Sequence, residues 1–131
     1  MRFGRRNLLM MMLGAAASGT GVAAGRQGGG MYGLIGKMIA APGRRDALIE
    51  ILLEGSASMP GCLSYIVAAD PADANAIWIT EVWDSKASHE ASLTLPSVKE
   101  AIARGRPLIA SFAESIATAP VGGHGLVRGR G

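Results

Sequence analysis

The sequence predicts an α+β fold in which one antiparallel sheet carries helices on a single face. Residues 31–119 alternate strand-like and helix-like segments in the order β-α-β-β-α-β. Residues 76–83 show the two-residue alternation of a strand, and residues 44–55 repeat apolar side chains at helical spacing. The 131 residues of the chain are enough for one domain of this kind.

The first strand and helix lie on either side of a turn. Residues 31–40 predict a strand with apolar side chains on both faces. Pro42-Gly43 then signals a turn, and residues 44–55 predict a helix with one apolar face. The two apolar faces of the strand indicate that one packs on helices and the other on a pocket or a partner.

A hairpin follows the helix. Residues 62–69 and 76–83 each predict a strand. The loop between them, residues 70–75, is short and rich in turn-forming residues. The two strands are therefore expected to pair antiparallel. In the second of them, Trp83 and Trp78 point to opposite faces.

The second half of the domain predicts two helices and an edge strand. Asp84-Ser85 is a capping signal for a short helix at 86–94, and Leu95-Pro96 breaks the pattern before a second helix at 97–105. Residues 115–118 predict the last strand, at a sheet edge. The complete order is that of the ferredoxin-like βαββαβ fold with an antiparallel sheet.

Helices on one face of a sheet leave the other face to be covered. Tyr65, Trp78 or Trp83 exposed on that face would form a large apolar patch. A second copy of the same sheet is the simplest cover, and the sequence therefore predicts a symmetric homodimer.

The charge distribution argues against a nucleic-acid partner. The whole chain has a formal charge of +3, but the excess of basic residues lies at its two ends. Residues 31–120 contain seven basic and ten acidic residues. A domain with that balance lacks the basic surface that nucleic-acid binding requires.

The N-terminal segment has the layout of an export signal. Arg5-Arg6 precedes residues 7–24, which carry no charge and end in small residues suited to cleavage. The arginine pair indicates the Tat route and a periplasmic protein; translation from Met31 would instead leave the protein in the cytoplasm. The uncharged stretch is too weakly apolar for a stable membrane span. The predicted segments are a signal and linker at 1–30, a domain at 31–119 and a flexible tail at 120–131.

One stretch of the sequence resembles a known family. Residues 81–85, with Glu81 and Trp83, and residues 89–93, which begin with His89, resemble the signature of the antibiotic biosynthesis monooxygenases. The resemblance implies a dimeric α/β barrel with a pocket between sheet and helices in each protomer. It also implies, for some members, oxygenation of quinol-like or polyphenolic substrates by dioxygen without metal, flavin or haem.

Such chemistry needs a base, an apolar pocket and donors that steady negative charge on oxygen. His89 is the candidate base, because imidazole accepts a proton near neutral pH; an exposed helix position is the alternative. Other members carry a histidine one turn later, where this chain has Ser92. Glu81 is the second catalytic candidate, because a carboxylate on an apolar strand face must be paired, hydrogen-bonded or functional. Its candidate ion-pair partners are Lys37, Arg104 and Arg106.

Aromatic side chains supply most of the candidate contacts to a planar substrate. Trp83 or Trp78 is expected to line the pocket, with core packing as the alternative for each. Tyr32 and Tyr65 are candidates to aim a hydroxyl into it. Arg106 completes the predicted substrate-binding set.

The sequence offers little for a metal or cofactor. It contains two histidines and one cysteine, without the spacing of a metal site. The lone Cys62 excludes an intramolecular disulfide and is interpreted as a small buried apolar residue. No cofactor is expected.

The leading hypothesis is a cofactor-independent monooxygenase that oxidises a quinol-like or polyphenolic small molecule with dioxygen. The main alternative is a noncatalytic dimeric protein of the same fold, which binds a small ligand or acts in stress. A third possibility is a structural dimer without a ligand, which a filled pocket would favour.

Overall fold

A computed structural model describes residues 30–126. All but the last residue of the predicted signal and linker segment lies outside the described residues, as do residues 127–131 of the predicted tail. Export and the flexible tail therefore stay predictions. Within the described range, four strands and three helices follow in the order β1-α1-β2-β3-α2-α3-β4. They are β1 (Tyr32–Ala40), α1 (Arg45–Gly55), β2 (Cys62–Ala69), β3 (Ala76–Trp83), α2 (Lys86–Ser92), α3 (Pro96–Gly105) and β4 (Ile109–Thr118), with a 3-10 turn at Arg106–Leu108 before β4.

The four strands form one antiparallel sheet in the order β2-β3-β1-β4. The two central strands are therefore β3 and β1, and the predicted hairpin of β2 and β3 forms one side of the sheet. This arrangement confirms the ferredoxin-like βαββαβ fold.

The apolar helix face, the capping residue and the helix-breaking proline predicted from the sequence are all found in the structure. On α1, the face with Leu48, Ile51 and Leu52 is buried. The side chain of Ser85 accepts a hydrogen bond from the backbone N–H of Ser88 and so caps α2. Pro96 occupies the first turn of α3, where proline is tolerated because the N–H there has no partner within the helix.

The last strand is longer than the sequence predicts. It begins at Ile109 rather than at Ser115. A register shift against β1 between Lys37 and Met38 places Glu114 and Phe112 opposite these two neighbours. The bulge breaks the two-residue alternation by which strands are recognised, so the pattern indicated only the segment after it.

The core lies between the helices and one sheet face. Met38 of β1 and Ile77 of β3 pack with Leu48 of α1 in a single apolar cluster. On the opposite sheet face, Ile66 is 54% exposed and Ile116 is 48% exposed. Within residues 30–126, no helix is long and apolar enough to cross a membrane.

Candidate active site

A pocket opens between the helices and the sheet, near the end of β3. Its mouth is formed by the half-buried Ser56, Met59 and Tyr65, whereas the other lining side chains are buried. The interior wall comes from α1, β3, α2 and α3. It consists of Leu52, Gly55, Glu81, Trp83, His89, Ser92, Val98 and Ala101.

The pocket is narrow. Including its opening to solvent, the free space between the lining atoms is about 330 Å³, but the centre of a water molecule can occupy only about 10 Å³ of it. That is close to the space of a single water. An aromatic ligand therefore requires the side chains at the mouth to move apart.

Glu81 and Trp83 lie two residues apart on β3 and so share the face that the helices cover. The indole Nε1 of Trp83 donates a hydrogen bond to Oε1 of Glu81 at 2.9 Å. The carboxyl group is buried, with Glu81 only 5% exposed. Burial raises the pKa of Glu81 to about 7, although the hydrogen bond from Trp83 acts in the opposite direction.

The side chain of His89, on α2, lies beside the Glu81 carboxyl group. Its Nε2 lies 4.0 Å from Oε1 of Glu81, which is too long for a hydrogen bond. The side chain is 1% exposed, and neither Nδ1 nor Nε2 has a hydrogen-bond partner. Burial, assisted by the positive charge of Lys86, lowers the pKa of His89 to about 4.

Aromatic rings fix the position of the imidazole. The His89 ring meets Trp83 edge-on at a centroid distance of 5.3 Å, and Tyr32 lies tilted against it at 5.5 Å. The Tyr32 hydroxyl is buried without a hydrogen-bond partner. Buried polar atoms without partners cost free energy, and in a pocket they indicate a site for a ligand or a reacting group.

The protonation of the pair follows from burial. Near neutral pH, His89 is uncharged and Glu81 is divided between its acid and its carboxylate. The two groups together carry a charge between zero and minus one. They can therefore accept a proton from a bound hydroxyl, with the carboxylate of Glu81 stabilising an imidazolium at His89.

The structure brings together most of the predicted site residues. Glu81, Trp83, His89 and Tyr65 line one pocket, and Tyr32 contacts the His89 ring. The exposed helix position considered for His89 is wrong, because its side chain is buried.

Two predicted substrate-binding residues lie elsewhere. Trp78 occupies the opposite sheet face, where its Nε1 donates to Oδ2 of Asp70 at 2.9 Å and Lys37 Nζ lies 5.2 Å from its ring centroid. Trp78 points away from the pocket because it is one residue out of phase with Ile77 and Ile79. Arg106 lies in the turn after α3 and is not among the residues that line the pocket.

The predicted ion-pair partners of Glu81 are also wrong. Lys37 Nζ lies 3.7 Å from Oδ2 of Asp70, and Arg104 Nη1 lies 3.0 Å from Oε1 of Glu54. Neither pair includes Glu81, and among residues 30–126 no ion pair joins Glu81 to Arg106 either. Glu81 has instead an indole donor and a neutral imidazole as neighbours. Its pKa stays high because of burial, which the hydrogen bond from Trp83 offsets only in part.

Several wall residues were not predicted from the sequence. Ser56 and Met59 follow α1 in a segment without periodic pattern. Gly55 had a recognisable signal, since it is a glycine on the apolar face of a helix. A Cβ atom there would lie 2.4 Å from the Cβ of Ala101, so α1 and α3 approach each other closely at this wall.

Cys62 is half-buried rather than fully buried. Burial raises the pKa of its thiol to about 11, which leaves it protonated and unreactive near neutral pH. Among residues 30–126, no three histidine, cysteine, aspartate or glutamate side chains are grouped so as to hold a metal ion.

A family model for antibiotic biosynthesis monooxygenases matches residues 31–104, which include both Glu81 and His89. The chain belongs to this family. A protein of Chloroflexus aurantiacus assigned to the same monooxygenases has a crystal structure that is 71% identical in sequence, with a TM-score of 0.73. The match covers 74% of this chain and 99% of that one.

More distant structures support the fold of this family member. A Caulobacter crescentus protein is 18% identical with a TM-score of 0.61, over 72% of this chain and 91% of its own. A Pseudomonas aeruginosa protein is 24% identical with a TM-score of 0.62, over 71% and 96%. No curated protein matches the chain.

Proposed function

We propose that this member of the family is a cofactor-independent monooxygenase that oxidises a quinol-like or polyphenolic molecule with dioxygen. Family membership supports the general monooxygenase role. The observation that carries the finer proposal is the buried imidazole of His89, whose nitrogens lack partners, beside a carboxyl group of raised pKa. This is a proton acceptor placed in an apolar pocket.

The first step is removal of a phenolic proton. His89 alone is a weak acceptor, because burial lowers its pKa. The ionised carboxylate of Glu81, 4.0 Å away, changes this by stabilising the imidazolium that forms. The base is therefore the pair rather than His89 alone. The phenolate that remains is electron-rich and lies against the indole of Trp83.

The substrate then supplies the electrons for oxygen. With hydroquinone as the substrate, one ring C–H bond breaks, one C–O bond forms and the O–O bond of dioxygen breaks. One oxygen atom enters the ring and the other leaves as water, so that hydroquinone and dioxygen become hydroxybenzoquinone and water. The four electrons that reduce dioxygen come from the ring, and this is why the proposal needs no cofactor.

Oxygen uptake tests this proposal. The purified full chain, treated with a chelator, is supplied with a panel of hydroquinones and polyphenols, and the uptake without protein is subtracted. We expect uptake that falls at least about 100-fold in His89→Ala, the loss typical of a general base. Glu100→Gln, on the exposed side of α3, is the control for substitution as such. Uptake that is equal in His89→Ala and wild type would remove the pair from the mechanism.

A noncatalytic ligand-binding or stress-related protein is the second candidate. The 4.0 Å separation between Nε2 of His89 and Oε1 of Glu81 favours it, because it is longer than the hydrogen bond that would hold a working acid–base pair. The same panel discriminates the two. Quenching of tryptophan fluorescence by a quinol without oxygen uptake would favour binding alone.

The homodimer belongs to the same proposal. Ile66 and Ile116 are exposed on the sheet face that α1, α2 and α3 leave free. Together with Ile35 and Val82 they form an apolar surface that water would otherwise meet. We propose that a second copy of the chain covers this face. Light scattering coupled to size exclusion measures the expected dimer mass.

A further inference from the structure

The charges around the pocket set a condition on its ligand. The eleven described residues that line it include neither lysine nor arginine. Its titratable wall residues are Glu81, His89 and Tyr65, and all of them are held near or below zero charge at neutral pH. Lys86, one turn before His89 on α2, is exposed to solvent. The pocket is therefore neutral or negative.

The hydrogen-bond donors of the wall are also largely occupied. Ser56 Oγ donates to the carbonyl oxygen of Leu52 at 2.7 Å, and Ser92 Oγ donates to that of His89 at 2.6 Å. The indole N–H of Trp83 is directed to Glu81. The donors left for a ligand among the wall side chains are the Tyr65 hydroxyl and the single N–H of the neutral His89 imidazole, whose nitrogens have no partner. Two neutral donors cannot replace the hydration shell of an anion.

We propose that the pocket selects uncharged aromatic diols and rejects their carboxylated or sulfonated counterparts. The inference rests on the function proposed above and adds the substrate class to it. An ionised carboxylate would lose its water without gaining a cation, and the Glu81 carboxylate would repel it. A neutral ring needs only a hydroxyl that donates to His89 and apolar contact with Trp83 and Val98.

The test compares two substrates that differ in charge and little in shape. They are 2,5-dihydroxybenzamide and 2,5-dihydroxybenzoate, with unsubstituted hydroquinone as the reference. We expect kcat/KM for the amide to exceed that for the carboxylate by at least about 100-fold at neutral pH, because a buried charged group without a partner costs more than a neutral one. Equal kcat/KM for the two compounds would overturn the inference. Binding of each compound is measured in parallel by tryptophan fluorescence.

A positive charge introduced at the mouth of the pocket provides a second test of the charge selection. Ser56 is half-buried at the C-terminal end of α1, where a cation is tolerated by the helix dipole. Ser56→Lys should lower the preference for the amide at least about 10-fold by accepting the carboxylate. Ser56→Gln, which adds length without charge, should keep the preference. Identical preferences in the two variants would contradict the electrostatic explanation.

Failure of the inference and failure of the proposed function give different results. If none of the three compounds is oxidised but the amide binds and the carboxylate does not, the monooxygenase proposal fails and the charge selection stands. If the carboxylate is oxidised as well as the amide, the monooxygenase stands and the selection fails. If no compound binds, both fail.

Discussion

Replacing Glu81 by glutamine should stabilise the protein at alkaline pH while it impairs the site. Glutamine keeps the shape of the side chain and a carbonyl oxygen that accepts the Trp83 N–H bond. It removes the charge and places an NH2 group where the second carboxyl oxygen was. The part of the stability difference that changes with pH therefore isolates what the buried carboxylate costs the folded state.

The magnitude follows from the pKa. Burial raises the pKa of Glu81 from 4.5 to about 7, and each unit corresponds to about 1.4 kcal/mol. The folded state therefore holds its proton more tightly than the unfolded state does. The contribution of Glu81 to folding stability is therefore most favourable below pH 4.5, and it is lost as the pH rises toward 7. Above that pH the loss reaches about 3 kcal/mol.

The assay is urea unfolding of wild type and Glu81→Gln between about pH 5 and about pH 8. The variant should gain on the wild type across this range by up to about 3 kcal/mol, with the two proteins nearest to each other at the acidic end. Glu100→Gln, whose side chain is exposed, should follow the wild type at every pH. A difference between Glu81→Gln and wild type that does not change with pH would refute the reasoning.

Three further outcomes follow from the same structure. Oxygen uptake should rise as the pH is raised through about 7, because the Glu81 carboxylate is needed to stabilise an imidazolium; a rate that falls over this range in initial-rate measurements would contradict the role of the pair. Gly55→Ala should lower the free energy of unfolding by about 1–3 kcal/mol, measured in urea, because its Cβ would lie 2.4 Å from that of Ala101; Ala57→Gly, at an exposed position after α1, is the control. Ile116→Lys should shift the light-scattering mass from dimer to monomer, because Ile116 is exposed on the proposed interface, and an unchanged mass would place the interface elsewhere.

The sequence predicts β3 and its two faces well because strand alternation is local. Glu81 and Trp83 had to share a face, and Trp78 had to take the other. The pattern could not tell which of the faces carries the pocket. That depends on how the helices pack, and the structure places Trp78 on the side away from them.

The environment of His89 could not be read from the sequence in the same way. The helix that carries it, α2, has only seven residues, fewer than the two or three turns that reveal an apolar face. Its burial results from contacts with β1 and β3, which are distant along the chain. The ion-pair partners predicted for Glu81 are wrong for a related reason. Lys37 pairs with Trp78 in the β1–β3 register and therefore lies on the opposite face.

The Glu81–His89 pair weakens the fold that holds it. Burial disfavours the charged form of each group, so the raised pKa of Glu81 costs stability at alkaline pH and the lowered pKa of His89 costs stability at acidic pH. Apolar side chains of similar volume would pack in the same space without either cost. A purely structural role does not explain why the chain carries a pair with these costs, whereas the proposed role as proton acceptor does. On this proposal, removing the charge of Glu81 should raise the stability of the protein and lower its oxygen uptake.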